Sequence, residues 1–137
     1  MKKCIHVVYI NDFHPELWAL TFHYIKLYAL TIKSEINVIT QRKFLDWHIY
    51  YEKMQVHQDG KHYDYNFLVD ADVLIHPEFP DFSTILLPYH IAINDCFDVR
   101  DHYNEAAIND YFHRDGRFIG ISSNAVISSK ATHDLWE

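Results

Sequence analysis

Phe67-Leu68-Val69-Asp70-Ala71-Asp72-Val73-Leu74-Ile75 is an apolar run broken by two carboxylates one residue apart. Its flanks read as a buried strand, and an unpaired charge in such a place costs several kcal/mol. A counter-charge is therefore required, and a divalent cation at the strand's end is the simplest candidate. Two hard oxygen ligands at i and i+2, with the other positions left open, suit Mg2+ or Mn2+ completed by water and a substrate diphosphate. The stretch thus points to chemistry on a nucleotide diphosphate compound.

Working outward from it, residues 4–10 read as a first strand closed by the polar pair Asn11-Asp12. His14-Pro15-Glu16 then opens a helix, with Pro where its missing N–H costs nothing and an acid that complements the helix dipole. Leu17, Leu20, Thr21, Tyr24 and Tyr28 recur at spacings of three and four, and Trp18, Phe22, Ile25 and Ala29 widen this expected core face. Lys33-Ser34-Glu35 breaks the pattern before a second strand at residues 36–40, and residues 42–57 are expected to be helical. Asp59-Gly60 reads as a turn, and a third strand at residues 65–69 delivers Asp70 and Asp72 at its carboxyl end.

This βαβ alternation predicts an α/β sheet with parallel neighbours, whose ligands gather outside the carboxyl ends of the strands. Residues 9–12, 40–43 and 70–72 should therefore meet at one edge. Further on, Pro77, Pro80 and Pro88 punctuate the chain, residues 85–87 and 89–96 read as short strands, and residues 118–129 as a longer one. Thr132 is then the expected N-cap of a final helix.

The chain of 137 residues suffices for a single domain with a real core. Its hydrophobic content of 49% and only 3 glycines exclude a disordered or low-complexity chain. A formal net charge of -7 argues against a nucleic-acid partner, which needs a clustered basic face. Cys4 and Cys96 form no CxxC pattern and read as ordinary thiols of a reducing compartment. No stretch approaches the roughly 20 apolar residues of a membrane span, and the N-terminal apolar stretch is too short for a secretory signal. The expected location is cytoplasmic.

The segment 69–75, preceded by Tyr50-Tyr51-Glu52-Lys53-Met54-Gln55-Val56 and followed by Pro77, resembles the DXD region of GT-A-fold nucleotide-sugar glycosyltransferases. Arg114-Asp115-Gly116-Arg117 and the stretch from Gly120-Ile121-Ser122-Ser123-Asn124 to Trp136 are similar to small viral and microbial members. The resemblance implies a Rossmann-like three-layer α/β/α domain with a mostly parallel sheet. Residues 1–76 would form its nucleotide-binding half and residues 77–137 a partial donor-sugar and acceptor half.

It further implies a nucleotide-diphosphate sugar donor, UDP-linked by preference, a carbohydrate or other hydroxyl acceptor, and Mn2+ or Mg2+ as cofactor. Asp70 and Asp72 match the metal-binding motif, with Asp72 the direct ligand and Asp70 touching ribose or metal. Tyr9 and Asn11 match the contacts to base and ribose, Lys53 a lysine against the donor phosphates or sugar, and Arg42 a second cation. Asn124 falls where the donor sugar and acceptor are lined. If the anomeric centre is inverted, a carboxylate must accept the acceptor's proton. Asp134 is chosen for that role, with Asp95 and Asp98 as rivals. The family's domains are commonly longer and supply a late histidine ligand, so an abbreviated acceptor half or a fragment is expected; no motif marks His133 as that ligand.

Each assignment has a plainer counterpart. The two aspartates could end a strand or cap a helix, Lys53 could be a solvated lysine, and Tyr9 a core aromatic. Asn11 could only terminate a strand, Asn124 satisfy a bend, and Asp134 complement a helix dipole. The 11 histidines show no HExxH or paired Cys/His spacing and read as scattered. No GxGxxG, Walker lysine loop or GxSxG elbow occurs. Two alternatives to transfer are a non-catalytic nucleotide-sugar-binding domain and a sugar nucleotidyltransferase. The latter calls for a glycine-rich loop after the first strand, where Asn11-Asp12-Phe13-His14 stands instead.

Overall fold

The first three strands follow from apolar runs separated by the segments that cross between them. β1 (Lys3–Val8), β2 (Glu35–Ile39) and β3 (Tyr65–Asp70) are mutually parallel, and β1 lies between the other two. Helix α1 (Pro15–Ile32) joins β1 to β2, and a 3-10 helix (Ile49–Gln55) running into α2 (Val56–Gly60) joins β2 to β3. Then come α3 (Phe82–Ile85), β4 (Ile91–Asp95), β5 (Ile121–Ser129) and a second 3-10 helix (Lys130–Trp136). The computed structural model describes residues 1–95 and 121–137. Cys96, Asp98, His102, His113, the Arg114–Arg117 stretch and the first part of the strand expected from residue 118 lie outside the described residues.

The sheet order is β2-β1-β3-β5-β4, with β5 antiparallel to both β3 and β4. The sheet is therefore mixed: among the described strands β1, β2, β3 and β4 run in one direction and β5 runs against them. The βαβ alternation holds through β3, but β5 enters between β3 and β4 from the opposite direction.

Because side chains alternate across a strand, the sheet feeds two cores. Ile5, Val7, Phe67 and Val69 pack with Ile25, Tyr28, Ala29 and Ile32 of α1. Leu68, Ile39 and Val126 join Ile10, Val56 and Trp136 in a second cluster. The buried stripe of α1 is Thr21, Ile25, Tyr28, Ala29 and Ile32. Leu17 and Leu20, expected in it, are 39% and 53% exposed. The helix is instead turned toward Trp18 and Phe22, which form one aromatic stack with Tyr9, at centroid distances of 4.4 Å for both ring pairs.

Three local expectations also change. Residues 42–48 form a loop rather than helix. Residues 85–87 form no strand, since Ile85 ends α3. Thr132 is not the cap but the third residue of its 3-10 helix: Ser129 is the N-cap, and its N–H donates to Thr132 Oγ1 at 3.1 Å.

α1 ends where Lys33 adopts φ 56 and Ser34 N–H donates to Ala29 O at 2.9 Å, a left-handed C-terminal cap. Cys4 is buried, and burial pushes its thiol up to about 12, so it is unreactive at neutral pH. Among the described residues no helix is long and apolar enough to cross a membrane.

Candidate active site

Strand register brings the site together. Val8 pairs with Asp70, so the chain leaves β1 and β3 at the same carboxyl edge. β5 runs the other way, with Ala125 opposite Val69, and Asn124 therefore arrives at the level of Asp70. Between these ends and the 3-10 helix lies a cleft of about 480 Å³. Lys53, Asp70, Ala71, Asp72 and Asn124 line one part of it, and Val8, Ile10, Phe13, Ile49 and Tyr50 supply an apolar remainder.

The carboxylates sit on a turn rather than within a strand. Val73 N–H donates to Asp70 O at 3.1 Å, which closes the chain around Ala71 and Asp72. Ala71 is buried, and its carbonyl accepts from Thr21 Oγ1 of α1 at 2.5 Å. The helix thus pins the turn from below while Asp72 is exposed at its tip.

Asp70 has its counter-charge within the chain. Lys53 Nζ lies 2.6 Å from Asp70 Oδ1, with side chains 13% and 23% exposed, and 6.0 Å from the centroid of the Tyr50 ring. The positive charge that the sequence assigned to a cation at Asp70 is thus supplied here by Lys53. Among the described residues Asp72 has no ion-pair partner.

The neighbouring Glu52 faces away from the cleft and organises the loop of residues 42–48. It is fully buried and accepts from Arg42 Nε, the N–H groups of Lys43 and Phe44, and Gln55 Nε2. Burial is the largest single influence on its carboxyl and opposes ionisation. The Lys43 N–H, Gln55, Phe44 N–H and Arg42 together outweigh it and hold the group below its ordinary range.

Of the residues singled out in the sequence, Asp70, Asp72, Lys53 and Asn124 share the cleft. Tyr9, Asn11, Arg42 and Asp134 are not among its lining residues. Tyr9 is stacked on Trp18 and donates its N–H to Ile39 O at 2.9 Å. Asn11 is exposed in the β1–α1 connection at φ 60, a left-handed conformation that Asn, Asp and His tolerate and that Asp12 and His14 share. Arg42 has its guanidinium on Glu52 and on the carbonyls of Phe44, Leu45 and Trp47.

Asp134 follows β5, and β5 carries the chain from Asn124 to Ser129, opposite Tyr65. Those five residues span about 17 Å along a strand, so the following 3-10 helix starts at the far edge of the sheet. Of the rivals, Asp95 ends β4, where its backbone pairs with Ile121, three residues before Asn124. Asp98 lies outside the described residues.

Sequence reasoning missed Thr21 as the support of the turn and Phe13, Tyr50, Ile10 and Ile49 as walls. Phe13 was the one apolar residue in a polar connection, which was the available signal.

Among the described residues no group of three or more His, Cys, Asp and Glu side chains is placed to hold a metal ion. Two carboxylates on one turn, one of them exposed, do fit a Mg2+ or Mn2+ that takes its remaining ligands from phosphate and water.

Strand order and strand directions define a mixed α/β domain with a five-stranded sheet. In particular, the chain is similar to the crystal structure of a glycosyltransferase involved in the glycosylation of the major capsid of PBCV-1, with a TM-score of 0.63 and 11% identity. The match covers 99% of this chain and 63% of that one, so the chain spans less than two-thirds of its neighbour's length. At that identity the likeness shows the fold alone. No protein-family model and no curated protein matches the chain.

Proposed function

We propose that this domain transfers a sugar from a nucleotide-diphosphate sugar to an acceptor hydroxyl, on a GT-A-like three-layer scaffold. The observation that carries this function is the convergence of Asp70, Asp72, Lys53 and Asn124, from separate stretches of sequence, in one cleft at the carboxyl edge of a glycosyltransferase-like sheet. Asp72 and Asp70 would hold Mn2+ or Mg2+, and such an ion, when bound, supplies Lewis-acid stabilisation of the departing diphosphate. Lys53 would place an ammonium against the donor phosphates. Asn124 would orient the sugar from the strand opposite the carboxylates.

Phe13 and Tyr50 offer aromatic faces for the planar base, with UDP the first candidate. On this reading residues 1–76 would form the nucleotide-binding half and residues 77–137 a partial donor-sugar and acceptor half. If transfer inverts, a carboxylate must accept the acceptor's proton, and Asp134 and Asp95 are the candidates to be separated by mutation.

The test is thermal. UDP or GDP with Mn2+ should raise the melting temperature, since a ligand bound only by the native state stabilises it by mass action, and Asp72→Ala should abolish the shift. An unchanged shift in that variant would remove the metal-bridged site. Donor hydrolysis or transfer across a panel of nucleotide sugars then separates an enzyme from a nucleotide-sugar-binding domain.

A further inference from the structure

We propose that Lys53 is a built-in competitor for the cation position at Asp70, so that a divalent ion and a nucleoside diphosphate bind the cleft in synergy. The inference rests on the proposed function of the same cleft and adds how its occupancy is controlled. The ammonium is 2.6 Å from Asp70 Oδ1, and both side chains are largely withdrawn from water, so the ion pair is little screened. Asp72, one residue further on, is exposed. A divalent ion arriving alone therefore meets one accessible carboxylate and one already neutralised.

A diphosphate changes this balance, because its oxygens offer Lys53 an anionic partner other than Asp70 within the same cleft. As the ammonium turns to the phosphates, Asp70 is released to act with Asp72, and the phosphate oxygens complete the ion's coordination. The ion and the nucleotide each remove a cost that the other would otherwise bear. Their coupling is reciprocal by thermodynamic necessity. The expected consequence is a cleft that stays closed to free metal and opens to it together with the donor.

Calorimetric titration with MnCl2, in the absence and presence of saturating UDP, tests this without any turnover. The intact protein should bind Mn2+ at least about tenfold more tightly with UDP than without it. Lys53→Met should bind Mn2+ alone about tenfold more tightly than the intact protein and show a correspondingly smaller gain from UDP, keeping only the part that phosphate coordination of the ion supplies, while Lys53→Arg should retain the full synergy. Lys53→Gln gives the same comparison if the methionine variant does not fold.

Lys43→Met is the control for bulk charge, since Lys43 is half exposed and pairs with Asp59 at 3.6 Å, away from the cleft lining. It should leave both affinities unchanged. Equal Mn2+ affinity of the intact protein and Lys53→Met without UDP would overturn the inference while UDP–Mn2+ binding, if present, leaves the proposed function standing. Binding of neither Mn2+ nor UDP to any of these proteins would remove both.

Discussion

The Thr21 hydroxyl lies 2.5 Å from the Ala71 carbonyl, and the alternative carbonyls of Leu17 and Trp18 on its own helix are at 3.1 and 3.2 Å. Thr21→Val removes that hydroxyl at nearly constant shape and leaves the buried Ala71 carbonyl without its partner, at a cost of about 1–2 kcal/mol. A lower urea midpoint with unchanged slope is the expected readout. A turn freed from α1 should also show a smaller UDP–Mn2+ thermal shift, and Thr21→Ser should restore both. The two aspartates were legible in the sequence because carboxylates are chemically out of place in an apolar run. Thr21 was not, because a helical threonine commonly bonds its own preceding turn, and nothing local says that this one reaches 50 residues ahead.

Elements were legible where hydrophobic period and punctuation agreed, as in β1, α1, β2 and β3. They were obscured where tertiary partners decided the conformation. The loop of residues 42–48 is held by Arg42 and the buried Glu52, a pairing that no periodic pattern announces. Gly60 illustrates the same limit. It was read as a turn glycine, yet it ends α2 and is needed for space: a Cβ there would lie 2.6 Å from Asn66 Oδ1. Asn66 is itself buried, donates to Gly60 O at 3.2 Å and accepts from His6 at 2.8 Å. Gly60→Ala should therefore displace the amide and lower stability by about 1–3 kcal/mol, measurable by chemical denaturation. Asn66→Ala in the same background should recover part of the loss if the clash is the cause.

Across the whole molecule, the polar network under the sheet couples stability to pH. His6 is fully buried, its Nε2–H donates to Asn66 Oδ1, and its Nδ1 accepts from Asn37 Nδ2 at 3.2 Å. The neutral ring is thus fully satisfied. Burial is the main cause that lowers its pKa from the usual 6.5, His133 acts in the same direction, and Asn66 and Asp59 oppose them. The unfolded chain therefore takes up a proton before the folded one does. The stabilisation is complete above pH 6.5 and is lost as pH falls from there through the lower folded value. Urea midpoints measured from pH 7.5 to 5.5 should fall accordingly, and His6→Gln should flatten that slope. Glu52 and Asp81, whose carboxyls are held below their ordinary range, act in a separate and more acidic window.

The fold class was legible in the sequence through its βαβ half. The mixed sheet was not, because strand direction depends on which edge the returning chain joins. That strand order also bears on how the protein is made. β5 is synthesised after β4 but sits between β4 and β3. A nascent chain on the ribosome therefore carries β3 with an open edge, and β4 without its sheet neighbour, until translation has passed Ser129. Any pause before that point prolongs the exposure of a sticky intermediate, so synthesis speed and chaperone supply should govern the yield of native protein.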